Sequence, residues 1–254
     1  MTREIAVIIP THNRAALLNR AIHSVQAQTV RPGEIIVVDD GSEEDIATVV
    51  RHYENCRYRR IEHSGLPAVA RNAGLSMTDA DYVAFLDSDD EWLPHKLERQ
   101  LRSNCEFVCS NASLILPDGS ARRPYLPVGQ AHVGRVLGDL LKDNFVITSS
   151  VLVRRDLVKR VGGFSEDPRL RGIEDYDLWL RLAAIMDFYY VDEELLLYEH
   201  SVASLSRTQS MRAQRRGLAR IFSRAATRAL IRGQYREFVM AGKQYLVSMV
   251  LAYT

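Results

Sequence analysis

Apolar runs of strand length alternate with stretches of helical periodicity along the first part of the chain. The four runs that predict strands cover residues 5–9, 34–38, 57–61 and 82–86. The three stretches that predict helices cover residues 14–28, 43–53 and 66–77. Strands and helices that alternate in this way are typical of a parallel sheet with crossover helices. Up to about Ser103, the pattern therefore predicts a nucleotide-binding α/β fold, a Rossmann-like sheet with helices on both faces.

The pattern is looser in the second part of the chain. Further strands are predicted over residues 106–116, 146–153, 188–191 and 195–198. A turn is predicted over 117–120 and a helix over 175–185. From about Thr208 the spacing predicts two helices with a hinge near Gly233. We expect three parts: one α/β half over 1–103, a second half of the same domain over 104–206, and a helical appendage over 207–254.

Composition and cysteine spacing narrow the class of protein. Cys56, Cys105 and Cys109 have no zinc-site spacing, and an odd count gives no disulfide framework. No charged-then-apolar signal sequence begins the chain, and no apolar run approaches the ~20 residues that a membrane-spanning helix needs. We therefore expect a cytoplasmic protein with reduced thiols, and any membrane contact to be peripheral, at the inner face.

Three carboxylates follow the apolar run at 82–86. Asp87, Asp89 and Asp90 stand at the carboxyl end of this predicted strand, the edge where open α/β sheets bind ligands. Clustered carboxylates repel one another unless a cation or several hydrogen-bond donors lie between them. Oxygen ligands of this kind suit Mg²⁺ or Mn²⁺, often together with substrate phosphates. The run indicates a metal–diphosphate site, or alternatively a solvated acidic turn.

Two earlier strands end in polar residues as well. The first is followed by Pro10, Thr11, His12 and Asn13, and the second by Asp39-Asp40-Gly41-Ser42. Parallel strands present their carboxyl ends at one edge of the sheet, so these residues could line one crevice with Asp87. Each stretch also has a plainer interpretation as a turn, or as a cap for the next helix.

At this point the chain resembles a known family. The residues that carry the resemblance are 8–14 (IIPTHNR), 37–42 (VVDDGS), 70–74 (ARNAG), 85–90 (FLDSDD), 161–164 (VGGF), 172–179 (GIEDYDLW), 198–200 (YEH) and 204–206 (SLS). In this order and spacing they look like the successive motifs of family 2 glycosyltransferases, which are inverting enzymes of the GT-A fold. The resemblance implies a GT-A core that spans about Ile5 to Ser206.

The resemblance implies roles for the residues at the strand ends. A nucleotide would be held by Pro10, Thr11, His12, Asn13, Asp39, Asp40, Arg71, Asp87 and Ser88. Position 12 is more often Tyr in this family, although His12 could also stack on a base. Arg71 would be a charge partner for the diphosphate, or otherwise a surface arginine of its helix.

The same resemblance implies a cation and a catalytic base. Asp89 would ligate Mn²⁺ or Mg²⁺ directly, Asp87 would belong to the metal shell, and His200 could complete the site. Inverting transfer needs a base that accepts the proton of the attacking hydroxyl. Asp175 matches the family's catalytic carboxylate, and Glu174 is the second candidate.

The acceptor side is less defined. The resemblance assigns Gly163 and Phe164 to an acceptor-side motif. Trp179 lies one helical turn beyond Asp175 and could form a platform for an acceptor sugar, or belong to the core. The acceptor itself stays open among a glycan, a lipid-linked molecule and a small molecule.

The net charge of +1 conceals a basic segment at the end of the sequence. From Arg207 onward, Glu237 is the single acid, and the basic residues are Arg207, Arg212, Arg215, Arg216, Arg220, Arg224, Arg228, Arg232, Arg236 and Lys243. A basic amphipathic helix can pack its apolar face on the core, lie on an anionic membrane surface, or bind nucleic acid. Nucleic acid is the least favoured of these partners.

The sequence therefore predicts a metal-dependent inverting glycosyltransferase that uses a nucleotide diphosphate sugar. A sugar nucleotidyltransferase is a weaker alternative, because residues 10–13 are not a glycine-rich phosphate loop. The other alternative is a non-catalytic nucleotide-binding or membrane-associated adaptor, which would not need Asp175.

Overall fold

A computed structural model of the chain describes residues 4–115, 122–130, 132–199 and 210–253. Its centre is one mixed sheet of ten strands. The strands are β1 Ile5–Thr11, β2 Glu34–Asp39, β3 Cys56–Arg60, β4 Tyr82–Phe85, β5 Glu91–Trp92, β6 Phe107–Ile115, β7 Arg122–Pro124, β8 Val133–Gly134, β9 Leu152–Arg154 and β10 Phe188–Glu199. The helices are α1 Ala15–Gln26, α2 Ile46–Arg51, α3 Pro67–Leu75, α4 Lys96–Arg102, α5 Leu137–Leu140, α6 Arg155–Arg160, α7 Glu174–Ala183, α8 Met211–Ile231 and α9 Tyr235–Tyr253.

The first four strands form the parallel part of the sheet. Their order is β3-β2-β1-β4, and the sheet continues as β9-β6-β10-β5. β1 pairs parallel with both β2 and β4, so the carboxyl ends of these three strands lie side by side. β9 is antiparallel to β4 and β6, and it joins the second half of the chain to the first. The α/β fold predicted from the sequence is confirmed.

Apolar layers cover both faces of the parallel part. In β1, Ala6 and Ile8 belong to one core cluster, whereas Ile5, Val7 and Ile9 belong to the other. A strand buried on both faces explains why β1 is apolar at every position from Ile5 to Ile9. α3 lies close against β1, and a Cβ at Gly74 would come within 2.5 Å of the Ile8 side chain.

Two predicted strands differ in the structure. The strand predicted over 146–153 is wrong for its first part, which contains a 3-10 turn at Thr148–Ser150. The reason is tertiary: the Ser149 carbonyl accepts from Trp92 Nε1 and the Ser150 carbonyl accepts from the Gln100 amide. The two short strands predicted over 188–191 and 195–198 are one strand, β10, which has irregular register against β6. The turn predicted over 117–120 lies outside the described residues.

The two C-terminal helices and their break near Gly233 are confirmed. Of the arrangements open for the basic segment, packing on the core is the one that the structure shows for α8. Ile221, Phe222 and Ala225 are buried in the larger apolar cluster. Arginines on the flank of α8 pair with the body of the protein, as in the bond from Arg224 to Asp167 at 3.0 Å. Within the described residues, no helix combines the length and the apolar character needed to cross a bilayer.

Candidate active site

A cleft of about 740 Å³ opens at the carboxyl ends of β1, β2 and β4. The strand-end residues that line it are Pro10, Thr11, His12, Asp40, Asp87, Ser88 and Asp89. Arg71 from α3 and Glu174 and Asp175 from α7 line the same cleft. The structure thus brings together ten of the residues that were predicted from the sequence to form one site, although they come from distant parts of the chain.

One end of the cleft is built around Asp40. Its carboxylate accepts from the backbone nitrogens of Ser64 (2.8 Å) and Gly65 (2.9 Å), which orders the loop after β3. His63 from this loop stacks on His12, with ring centroids 4.2 Å apart and planes at 24°. The close approach needs Gly41, because a Cβ there would lie 2.9 Å from the His63 backbone nitrogen. The two imidazoles give this end of the cleft a flat aromatic surface.

Asp39 and Asn13 do not line the cleft. Asp39 is fully buried and accepts from the backbone nitrogen of Ser42 (2.8 Å) and from the hydroxyl of Tyr58 (2.8 Å). Asn13 has a positive φ of 51°, and its side-chain oxygen accepts from the backbone nitrogen of Glu43 (2.7 Å). In this structure the polar atoms of both side chains hold the two loops in shape, and their contact with a nucleotide stays a prediction.

Arg71 connects the two carboxylate-bearing sides of the cleft. Its Nη1 donates to Glu174 Oε1 (2.9 Å) and its Nη2 donates to Asp87 Oδ1 (2.6 Å). The guanidinium is almost fully buried and lies 5.2 Å from the ring centre of Phe164. Burial disfavours the charge, yet Asp87 and Glu174 outweigh it and raise the pKa of Arg71. Arg71 thus lines the cleft as the ion-pair partner of two acidic residues, and its role as a charge partner for a diphosphate stays a prediction.

Glu174 and Asp175 are adjacent at the start of α7 but have different environments. Glu174 is buried and paired with Arg71, whereas Asp175 reaches the cleft and accepts from the Thr148 hydroxyl (2.8 Å). Surrounding protein and the charge of Glu174 raise the pKa of Asp175 to about 6, against the opposing effects of Arg71 and Thr148. A carboxyl group with this pKa is mostly ionised at neutral pH and can still accept a proton readily.

The carboxylates after β4 have three different partners. Asp89 Oδ2 accepts from Arg14 Nη1 at 2.5 Å, and Asp87 pairs with Arg71. Asp90 is buried: one oxygen accepts from the Glu199 backbone nitrogen (3.1 Å), while Oδ2 has no partner within the described part of the chain. Burial, together with Asp89 and Asp87, raises the pKa of Asp90 well above its ordinary value. Asp90 thus joins the end of β4 to the end of β10, a contact that no sequence pattern indicated.

A divalent cation fits the residues at this point when a diphosphate supplies the other ligands. In the ranges that the structure describes, no three His, Cys, Asp or Glu side chains are grouped to hold an ion. Asp87 and Asp89 nevertheless give two carboxylates, which is the protein's usual share of a Mg²⁺–phosphate site. Burial and the neighbouring Asp87 raise the pKa of Asp89, so an added positive charge would relieve this cluster. His200, the third predicted ligand, lies outside the described residues.

The predicted acceptor residues lie away from the cleft. Trp179 is completely buried and packs edge-on against Phe107, 5.5 Å between ring centroids, so the prediction of a sugar platform is wrong and the core alternative holds. Phe164 is also buried, and its backbone exchanges two 2.9 Å hydrogen bonds with the Asn72 side chain. Gly163, with φ of +68°, lets this contact form. The motif therefore holds α3, and with it Arg71, in position.

The remaining walls of the cleft contain residues that the sequence reasoning missed. Tyr125 and Tyr198 meet edge-to-face on one side, with centroids 6.1 Å apart. The opposite wall comes from the C-terminal helices and consists of Gln214, Arg215, Leu218, Phe222, Gln244, Val247, Ser248 and Leu251. Arg14 and Tyr198 belong to two of the stretches that carry the family resemblance. The resemblance could therefore have indicated both residues. Nothing in the local pattern indicated that α8 and α9 reach the cleft.

Comparisons with known proteins identify the family of the chain. A family model described as "Glycosyl transferase family 2" matches residues 6–162, and one described as "Glycosyltransferase like family 2" matches residues 129–238. TuaG of Bacillus subtilis (strain 168), a glycosyltransferase named for teichuronic acid biosynthesis, is 31% identical over 186 residues, 70% of this chain and 71% of TuaG. The uncharacterised glycosyltransferase alr2836 of Nostoc sp. (strain PCC 7120) is 42% identical over 180 residues, 65% of this chain and 54% of alr2836. The chain spans 32% of the length of relatives from Rickettsia felis and Rickettsia conorii.

Solved structures of TarS from S. aureus have the same fold. The complex of TarS with UDP-GlcNAc gives a TM-score of 0.71 over 87% of this chain and 66% of the TarS chain, at 18% identity. The complex with UDP gives a TM-score of 0.65 over 85% of this chain and 65% of the TarS chain, at 19% identity. At this identity the likeness concerns the GT-A fold, whereas the family follows from the sequence matches. The chain belongs to glycosyl transferase family 2 and is a glycosyltransferase.

Proposed function

We propose that the protein transfers a sugar, with inversion, from a nucleoside diphosphate sugar to an acceptor hydroxyl, and that Asp175 is the general base. The observation that carries the proposal is the position of Asp175. It lies in the same cleft as the strand-end residues around Asp40 and Asp89, and its pKa is raised to about 6. A donor-side pocket and a proton acceptor therefore stand together in a single space.

The end of the cleft around Asp40 suits the nucleotide. The stacked rings of His12 and His63 offer a flat surface for a base, and the loop that Asp40 orders brings backbone groups close to it. The TarS complexes with UDP and UDP-GlcNAc support a uridine nucleotide as the first donor to test. The identity of the transferred sugar follows from neither observation.

The diphosphate would lie beside Asp87 and Asp89. These two carboxylates would hold a Mg²⁺ or Mn²⁺ ion, which as a Lewis acid stabilises the negative charge on a leaving diphosphate. Arg14 brings a further positive charge to the same point through its bond to Asp89. Arg71, paired with Asp87 and Glu174, keeps the donor side and the base side at a constant separation.

Asp175 would act at the acceptor. As the acceptor oxygen forms its bond to the anomeric carbon, Asp175 accepts the hydroxyl proton, and the bond from that carbon to the diphosphate breaks with its electron pair on the leaving group. One displacement of this kind inverts the anomeric configuration. The hydrogen bond from Thr148 orients the carboxylate for this step. General bases of this type contribute about 10²–10⁴-fold to the rate.

The test is a panel of nucleotide sugars with Mn²⁺ or Mg²⁺, in which release of free nucleoside diphosphate is measured with and without candidate acceptors. We expect turnover of at least one donor, even if it is slow hydrolysis. Asp175→Asn should lower transfer about a thousandfold, while the donor Kd changes by less than about threefold. Asp79→Asn, an exposed carboxylate outside the cleft, is the matched control and should retain full activity.

Two results would contradict the proposal. Metal-dependent nucleotide binding without turnover of any donor would favour a non-catalytic nucleotide-binding protein. Full activity of Asp175→Asn would mean that another group accepts the proton, and Glu174 would then be the next residue to replace.

A further inference from the structure

The side of α9 that points away from the core is apolar. Ala241, Ser248 and Ala252 are buried against the protein on one side of this helix. On the other side lie the outward-face residues, which are Tyr235, Val239, Leu246 and Val250. Their spacing of four, seven and four positions brings them to one stripe of an α-helix. Their exposed fractions range from 53% to 69%, whereas an amphipathic helix on a protein surface normally turns polar residues to water.

Positive charge is interleaved with this apolar stripe. Arg236 and Lys243 are exposed and, by helical spacing, fall on the same side as Val239 and Val250. The acid in this helix, Glu237, is only partly exposed and falls on another side. The outward face of α9 therefore combines large apolar side chains with basic ones and carries no acidic residue. This is the composition of helices that lie in the interface of an anionic bilayer.

The positive charge on the outward face of α9 favours an anionic bilayer over a second copy of the chain as the partner of this face. In a symmetric dimer, the same face is present on both subunits, so Arg236 and Lys243 would approach their own like charges. An anionic lipid surface pairs with these two residues and accepts the apolar side chains at the same time. Two arginines of the neighbouring helix α8 have partners in the protein instead, since Arg224 and Arg228 pair with Asp167 and Asp177.

The outward face is next to the cleft. Val247 and Leu251 belong to α9 as well, and their side chains line the cleft on the side adjoining Val250. Leu218 and Phe222 of α8 extend this apolar wall inwards. One helix thus contributes both an exposed apolar stripe and part of the active-site wall.

We propose that the outward face of α9 docks on an anionic lipid bilayer and holds the cleft at the membrane surface. The consequence for the acceptor, which rests on the proposed transferase function, is that it is a membrane-held molecule whose apolar part runs along Val247 and Leu251. The docking itself does not depend on catalysis.

Vesicle flotation of the full chain tests the docking. Vesicles of phosphatidylcholine with phosphatidylglycerol are compared with vesicles of phosphatidylcholine alone. We expect binding to the anionic vesicles, weakening as salt increases, and little binding to the neutral ones. The combined variant V239S/L246S/V250S should bind the anionic vesicles at least about tenfold more weakly, since it removes three insertable side chains. The variant R236Q/K243Q should lose the preference for anionic lipid.

The control is V128S/V133S, which removes two exposed valines that do not belong to α9 and should bind as the unaltered protein does. Thermal unfolding of each variant checks that the fold is retained. Equal vesicle binding by V239S/L246S/V250S and the unaltered protein would overturn the proposal. So would sedimentation of the unaltered protein as a dimer that this variant dissociates, because the occupant would then be a second copy.

Donor hydrolysis in the absence of vesicles separates the two proposals. The residues replaced in V239S/L246S/V250S do not line the cleft, so this variant should hydrolyse the donor at the rate of the unaltered protein. Vesicle binding without donor turnover would contradict the proposed function and leave the docking intact. Turnover with no vesicle binding would contradict the docking alone.

Discussion

The two main walls of the cleft are built in different ways. The wall at the strand ends is polar, and its side chains are held by hydrogen bonds from neighbouring segments, as in the bond from the Gly65 backbone to Asp40 and the bond from Arg14 to Asp89. The wall formed by α8 and α9 is mixed, and it brings four apolar side chains to the cleft, those of Leu218, Phe222, Val247 and Leu251. The first wall is suited to one defined ligand, whereas the second can accept apolar groups of varied shape. Substitutions should therefore abolish function at the first wall and adjust it at the second.

The largest effect is expected for Arg71→Met, which removes the link between Asp87 and Glu174. Glu174 is buried and Asp87 is partly exposed, so the larger cost comes from Glu174: breaking a buried pair from one side costs about 3–5 kcal/mol of unfolding free energy. Urea denaturation measures this loss, and we expect activity to fall at least a hundredfold. The double variant R71M/E174Q removes one of the orphaned charges and should recover part of the stability. If R71M/E174Q is less stable than Arg71→Met, then Arg71 does not stabilise the protein through its ion pair with Glu174.

His63→Ala tests whether the polar wall recognises the nucleotide through its aromatic surface. Loss of the ring that stacks on His12 should weaken binding of the uridine nucleotide about tenfold, with little change in kcat. Calorimetric titration measures the Kd. His52→Ala is the matched control, because His52 is exposed and does not line the cleft. An unchanged Kd for His63→Ala would mean that the base of the nucleotide stacks on another surface.

The pH dependence of transfer tests Asp175 as the base. With a pKa of about 6, its carboxyl is protonated below that pH, so kcat/KM should fall as the pH decreases through 6. The Thr148 hydroxyl donates to the charged form and lowers the pKa of Asp175. Thr148→Val should therefore move the acidic limb upward by about 0.5–1 in pH and reduce the rate at pH 6 about threefold. If the acidic limb of the kcat/KM profile stays at the same pH in Thr148→Val, the limb does not report the titration of Asp175.

The smallest effect is expected at the helical wall. Leu251→Ala shortens one apolar side chain at the cleft, so the acceptor KM should rise about two- to fivefold while donor hydrolysis stays the same. Initial rates with varied acceptor and varied donor distinguish the two effects. If Leu251→Ala loses donor hydrolysis as strongly as Arg71→Met does, the two walls do not differ in their sensitivity to substitution.

The strand-end side of the cleft could be predicted from the sequence because it follows local rules. Buried parallel strands are apolar at every position, and the polar residues that follow them meet at one edge, so the sequence alone predicts that Asp40, Asp87 and Asp89 lie together. The helical wall followed no such rule. Which surface α8 and α9 pack on depends on tertiary contacts, such as Ile221 and Phe222 with the core, that leave no local pattern.

Single side chains were harder to predict than elements. Trp179 has the spacing of a cleft residue and the burial of a core residue, because α7 begins at the cleft with Asp175 and is already inside the core one turn later. Arg71 was expected to face a phosphate, but its partners, Asp87 and Glu174, come from strand and helix ends far apart in the sequence. The aromatic surface needed His63, whose loop is shaped by Asp40, and neither residue alone indicates the pair.

The cleft is lined by residues from Pro10 to Leu251, and this span has a consequence for biosynthesis. The ribosome makes the strand ends that line the cleft first, and the helical wall is missing until synthesis has passed α9. Until α8 has been made, the nascent chain therefore exposes the apolar core surface that later receives Ile221 and Phe222. Exposed apolar surface of this kind makes a growing chain prone to aggregation before α8 docks.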